Sequence, residues 1–263
     1  MINDEGFLSV EIDATVKENE ATFKLYVDFF KKINVFCQKT LFEIKVDSSK
    51  LHHWCLAVLF LRALSTFQAV FLLVIRGLTA EAKILLRTSM EIQYITIAIE
   101  KNNLIARDYL GQEAVEMQKI LKKAKEYPHA IEGIFNINEV EEKIKFYEDE
   151  KSKYRIKPKS IKQFAESAGL IESYDTYYKF LCLTSHTNMA DAREHLVFNE
   201  KGEATTFNWG PQKNQMIEVL LASIETILKT TESLFKSFCL HKENEYELLN
   251  NEFKEVHNSL HIL

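Results

Sequence analysis

Residues 56–99 read LAVLFLRALSTFQAVFLLVIRGLTAEAKILLRTSMEIQYITIAI, and this stretch decides the fold. Leu56 to Ile75 is an apolar run, Gly77 follows its last apolar residues, and Thr79 precedes a second apolar segment reaching Ile99. A glycine just past an apolar run marks a left-handed helix terminus, and a threonine there can cap the helix that follows. The pattern predicts one helix over residues 50–76 and another over 80–101. Two long apolar helices joined by so short a turn must pack antiparallel. This αα-hairpin is the expected core of the fold.

The first of these helices is long enough to span a bilayer. Arg62 and Gln68 interrupt it, and Ser65 and Thr66 dilute it. A central arginine costs roughly 2.5–3.5 kcal/mol on insertion scales. The second helix carries Arg87 and Glu91 inside an otherwise apolar sequence. Two adjacent helices with interior charges are expected to be buried in protein, where the charges can meet, and no membrane partner is expected.

Outward from the hairpin, the same helical spacing continues. A helix is expected from Thr15 to Ile44, with Phe23, Val27, Phe30, Val35 and Leu41 on its apolar stripe. Asp47-Ser48-Ser49 should break it and cap the next helix. A helix from Leu104 to Glu126 should end before Pro128. Charged residues 139–159 predict a solvated helix, with Asn138 and Glu141 at capping-box spacing, followed by a basic, proline-bearing linker. Ser160 and Gln163 form a second capping box, opening a short helix that Gly169 stops. An aromatic-rich helix from Ser173 carries Tyr177, Tyr178, Phe180, Leu181 and Leu183 to Ser185-His186. Leu196–Phe198 and Ala204–Phe207 flank Asn199-Glu200-Lys201-Gly202 as a small β-hairpin. Two final helices are expected over 212–240 and 244–260.

Composition agrees with this reading. Only seven glycines and three prolines occur among 263 residues, and a strand-rich fold would use more of both in its turns. The expected fold is a single all-α domain over 1–263, a multi-helix bundle built on the hairpin. The net charge of −5 argues against a protein that coats nucleic acid electrostatically, while leaving room for a local basic groove. Cys37, Cys55, Cys182 and Cys239 are widely separated in apolar helical contexts and read as reduced, buried thiols. The N-terminus shows no secretory pattern, so the cytoplasm is the expected compartment.

No phosphate loop or dinucleotide fingerprint is present, and no cofactor is expected. No metal site is expected either: His257 and His261 stand four apart without a carboxylate partner, and Cys182 and His186 read as packing. Two polar groups stand out. Arg87 and Glu91, spaced i,i+4, share one face of an apolar helix, and Arg62 on the preceding helix could reach the same neighbourhood. Thr184-Ser185-His186-Thr187-Asn188, with Asp191, Arg193 and His195 after it, closes the aromatic helix. Histidine suits acid–base work near neutrality, and an arginine can stabilise charge on a phosphate. The plainer alternative is an internal salt bridge fixing helix register, with His186 bonded to Glu91 or a backbone carbonyl.

Arg62-Ala63-Leu64-Ser65, Arg76-Gly77-Leu78-Thr79-Ala80-Glu81-Ala82, Leu85-Leu86-Arg87-Thr88-Ser89-Met90-Glu91 and Leu183-Thr184-Ser185-His186 together resemble a widespread bacterial family defined only as a domain of unknown function. The resemblance covers roughly residues 50–190, leaving flanking helices at 15–45 and 212–260. That family is similar in character to HEPN-type helical proteins, several of which are RNases in defence and toxin systems. The resemblance implies a catalytic group of Arg87, Glu91 and His186, with Arg62, Ser185, Asn188 and Arg193 as substrate-binding residues and RNA as substrate. One departure matters: the HEPN motif places an Arg ahead of a His on one helix, whereas here His186 precedes Arg193. The competing expectation is a non-catalytic module that binds a protein partner or small ligand through the same residues. A homo-oligomer is expected in either case.

Overall fold

The computed structural model describes residues 4–127, 129, 137–154, 157–185 and 195–259. After a short 3₁₀ turn at Gly6–Leu8, the chain forms α1 (Ile12–Thr22), α2 (Lys24–Glu43), α3 (Leu51–Val74), α4 (Thr79–Lys101), α5 (Ile105–Glu126), α6 (Ile137–Tyr154) and α7 (Ile161–Ala168). A further helical run comprises α8 (Ile171–Ser173), a π-helical turn (Tyr174–Tyr178) and α9 (Lys179–Ser185). β1 (Leu196–Phe198) and β2 (Ala204–Phe207) precede α10 (Met216–Glu232), α11 (Leu234–Phe238) and α12 (Glu243–Asn258). This is an all-α bundle with one small antiparallel hairpin.

α3 and α4 pack antiparallel along their lengths, and α10 lies across both. α2 and α12 close one side, α7 and α9 lie on α4, and α6 pairs with α5. The turn between α3 and α4 shows why Gly77 is needed. Its φ is +79°, and the N–H groups of Gly77 and Leu78 bond the carbonyls of Val74 and Leu73 at 2.8 and 3.0 Å. These two bonds form a Schellman motif. Pro211 packs so closely here that a β-carbon on Gly77 would lie 2.5 Å from its Cα.

The core is one continuous cluster running from Tyr26 to Val256. Phe30 of α2 stacks on Phe67 of α3 with centroids 3.8 Å apart. Each such fully buried side chain contributes roughly 1.5–3 kcal/mol. α3 is apolar enough to cross a membrane by composition alone, but half of that window is buried against the other helices.

The structure departs from the sequence reading at several local points. The helix expected over 15–44 is two helices, broken at Phe23 (φ −105°, ψ 28°). Asn19 is fully buried and donates its Nδ2 to the carbonyl of Ile75 at the end of α3, which fixes the direction of α1. Val35 and Phe42 face solvent, while Phe29, Ile33 and Phe36 complete the buried face. Asp47 accepts bonds from the Ser49 N–H and hydroxyl, so no side chain caps α3. The Thr79 hydroxyl is buried without a partner instead of capping α4. The Asn138 side chain lies outside the described residues, and Glu141 pairs with Lys125.

The Ser160–Gln163 capping box and the Gly169 stop (φ +73°) are present as read. The helix expected over 212–240 begins only at Met216 and is interrupted near Ser233, because the Gln212 N–H bonds the Gly77 carbonyl instead of opening a helix. Cys37 and Cys55 are buried, and burial pushes their thiols up to about 12 and 11. Cys182 is half-buried, and Cys239 is exposed rather than buried.

Candidate functional site

α4 presents Lys83, Arg87 and Glu91 at four-residue spacing, so one stripe of the helix carries all three. Arg87 Nη2 lies 3.1 Å from Glu91 Oε1. The group that completes this pair comes from the π-turn. Tyr178 donates its hydroxyl to Glu91 Oε1 at 2.7 Å. The Tyr178 hydroxyl oxygen in turn accepts from Arg87 Nε and Nη2 at 3.3 and 3.2 Å. The guanidinium carbon also sits 5.4 Å from the Tyr178 ring centroid. One hydroxyl thus serves both charges.

A π-turn carries one residue more than the equivalent α-helical turn. Here that geometry sends neighbouring residues to different helices. Tyr178 bonds α4, whereas Tyr177 lies beside Glu218 and Glu225 of α10. Tyr174 stacks on Tyr178 at 4.9 Å, and Tyr94 meets Tyr178 edge-on at 6.0 Å. The Tyr94 hydroxyl pairs with Ser173 at 3.1 Å. Burial raises the pKa of Tyr94 and Tyr177 to about 12. Burial raises Tyr178 too, reinforced by Glu91 and opposed by Arg87. Burial works against the charge on Arg87, but its bond to Tyr178 and the Glu91 carboxylate outweigh this and hold its pKa above the ordinary value.

The side chains of Arg87 and Glu91 retain 28% and 25% exposure. They form the wall of the bundle and are not sealed in its core, which corrects the expectation of a fully buried pair. Arg62 stands exposed on α3, and among the described residues its side chain adds nothing to this group. Cys182 lies one turn beyond Tyr178 on α9 and is half-buried. Ser185 closes α9. The Ser185 side chain and all of His186, Asn188, Asp191 and Arg193 lie outside the described residues, as does His261. His195 stands at the base of the hairpin, where its carbonyl accepts from the Asn208 N–H.

Sequence reasoning missed three parts of this neighbourhood. Tyr178 stands in the sequence as one of several aromatics on a helix, and nothing in its local spacing links it to a pair nearly ninety residues away. Lys83 precedes Arg87 by one turn and is buried; the i,i+4 pattern that found Arg87 and Glu91 could have found it. On the other side of the π-turn lies a cleft of about 390 Å³, lined by Met90, Gln93, Ser173, Tyr177, Glu225 and Lys229 among others. Gln93 is buried at its base and donates to the Thr226 carbonyl at 3.2 Å.

The fold and this polar group define a class: a helical bundle whose central αα-hairpin carries an Arg–Glu pair clasped by a tyrosine from a later helix. Residues 53–204 match the family of unknown function DUF5677, and the chain belongs to that family. The match takes in α3, α4 and the π-turn, and so contains Arg87, Glu91 and Tyr178. No curated protein and no solved structure matches the chain.

Proposed function

We propose that this chain is a bacterial stress or phage-defence protein of HEPN-like character that cleaves RNA in the cytoplasm without a metal ion. One observation supports the reading: Tyr178 of the last helical run bonds Arg87, and the same stretch of sequence reaches His186 eight residues later. Arg87, oriented by Glu91 and Tyr178, is the phosphate-contacting group. His186 is the general acid–base. It takes the proton of the RNA 2′-hydroxyl as that oxygen attacks phosphorus, the P–O5′ bond breaks, and the departing O5′ receives a proton. The products are a 2′,3′-cyclic phosphate and a 5′-hydroxyl. Arg87 stabilises the charge that builds on the phosphoryl oxygens in between.

A second reading is supported by the Tyr178 hydroxyl itself. Because it bonds both Arg87 and Glu91, the charges are already satisfied by each other, as in a structural clasp. The chain would then be a binding module without catalysis, holding a small ligand in the cleft beside Tyr177 or a protein partner.

Incubating wild-type and His186→Ala protein with total bacterial RNA and with tRNA, alongside thermal melts, separates the two readings. Cleavage by the wild type, lost in an equally stable variant, is expected for the nuclease. Intact RNA with both proteins would discard that reading in favour of the binding module.

A further inference from the structure

The cleft beside Tyr177 is walled by α4, the π-turn and α10. Gln93 forms its floor and keeps only 4% of its surface exposed. The Gln93 Nε2 is committed to the Thr226 carbonyl, and its Oε1 accepts from nothing among the described residues. The sealed side-chain oxygens without a partner belong to Asn19, Thr79, Ser89 and Ser223, and that of Gln93 is not one of them. The area its oxygen keeps therefore opens into the cleft that Gln93 lines. Buried amide oxygens are almost always bonded, so this one takes its hydrogen bond from what enters the cleft.

The neighbouring polar groups also accept more readily than they donate. Thr226 and Thr176 give their hydroxyl protons to the Ala222 and Glu172 carbonyls at 2.8 and 2.7 Å, which leaves only lone pairs for a ligand. The Gly169 and Leu170 N–H groups are spent on carbonyls of α7. Charge points the same way. Glu172 has no ionic partner among the described residues, and Glu225 is paired with Lys229 at 2.6 Å. Two carboxylates against one ammonium leave the described lining with one negative charge in excess.

We infer that this cleft binds a small organic cation with N–H groups to donate, an alkylammonium or guanidinium ion. The inference rests on the reading of the cleft as a ligand site and names the ligand's chemistry. Such an ion gives one N–H to Gln93 Oε1 and others to the threonine lone pairs, while its charge answers the excess carboxylate. The Tyr177 ring attracts a cation in its own right. An anion would meet the unpaired Glu172 and find few free donors. A neutral polyol could donate to the same oxygens but would leave the charge unanswered. The volume of about 390 Å³ falls in the ~300–1,000 Å³ range of small-molecule sites. Lys229 stands as a resident competitor, since it already holds the Glu225 carboxylate.

Calorimetric titration of the full chain tests this, with butane-1,4-diamine and ethylguanidinium as probes. Butane-1,4-diol, succinate and tetramethylammonium serve as the neutral, anionic and donor-free counterparts. At least one of the two N–H cations is expected to bind about tenfold or more tightly than every counterpart, and their order assigns the headgroup. Glu172→Gln should weaken that binding about tenfold, and Gln93→Met by at least as much. Lys229→Met should tighten it about fivefold by freeing Glu225, a change that a merely structural lysine would not produce. Glu172 and Lys229 lie at the surface, so their variants carry the test even if Gln93→Met fails to fold. The diol or succinate binding as tightly as the cations would overturn the inference and keep the cleft as a ligand site. No binding by any probe would overturn both. Cation binding indifferent to Glu172→Gln and Lys229→Met would overturn the inference by locating the cation elsewhere.

Discussion

Tyr178 carries more than one obligation, and its hydroxyl can be tested apart from its ring. Tyr178→Phe leaves Arg87 and Glu91 paired and keeps the aromatic packing with Tyr174 and Tyr94. It is expected to cost about 1 kcal/mol, the net worth of an ordinary hydrogen bond. Glu91→Ala leaves a charged, half-buried guanidinium with less compensation and should cost more, about 1.5–3 kcal/mol, which urea titrations of the two variants would rank. A fully sealed pair would have lost roughly 3–5 kcal/mol; the observed exposure lowers that figure. The buried tyrosines also set an alkaline limit. Tyr94 and Tyr177 rise from 10.0 to about 12 in the folded protein, so the unfolded chain gives up these protons first. Their contribution is fully present below pH 10.0 and is lost as pH climbs towards about 12. Stability measured across that window should fall, and Tyr94→Phe should make the fall shallower. At this scale the sequence revealed Arg87 and Glu91, because i,i+4 spacing is local. It concealed Tyr178, because its partnership depends on how two distant helices meet.

Among the elements, the α3–α4 hairpin was the most legible, since its turn is specified by a single glycine whose conformation and surroundings both exclude a side chain. Gly77 and Gly202 make a controlled comparison. Both have positive φ, at +79° and +78°, but a β-carbon at Gly202 meets nothing within 4 Å. Gly202→Ala should cost about 1–2 kcal/mol for the left-handed backbone alone. Gly77→Ala should cost clearly more, because Pro211 must also move, and thermal melts of the pair would isolate that packing contribution. The Ser160–Gln163 box was legible for the same reason, being complete within four residues. The caps expected of Ser49 and Thr79 were not, because Ser49 bonds Asp47 and the Thr79 hydroxyl is buried. The break at Phe23 depends on Asn19 reaching Ile75, a contact between residues 56 apart in sequence. The π-turn has no spacing signature at all.

At the scale of the whole molecule, hydropathy and location part company. α3 has the hydropathy of a membrane span, yet it is the helix on which α2, α4, α5 and α10 converge. Expressed protein is therefore expected in the supernatant after high-speed centrifugation without detergent; recovery only with detergent would show that α3 meets lipid. The family match ends at residue 204, but the core does not. Leu220, Ile224, Leu228 and Phe253, all beyond that limit, are buried in the same cluster as Leu56 and Leu86. Truncation at the family boundary should therefore leave an aggregating fragment and no folded domain, as light scattering of the truncated chain would show.

The π-turn has a further consequence, for tolerance to deletion. Removing one residue from an ordinary helix rotates everything after it by about 100°, since 3.6 residues make a turn. Removing one residue from a π-turn restores the α-helical repeat and leaves the helices on either side in phase. Deleting Thr176 should thus keep Leu181 and Cys182 facing α4, at the expense of the tyrosine arrangement, whereas deleting Thr88 from α4 should unfold the chain. Comparing the circular dichroism melts of these two shortened proteins would show whether residues 174–178 form a splice point, where the length of the helix can change by one without the bundle losing its alignment.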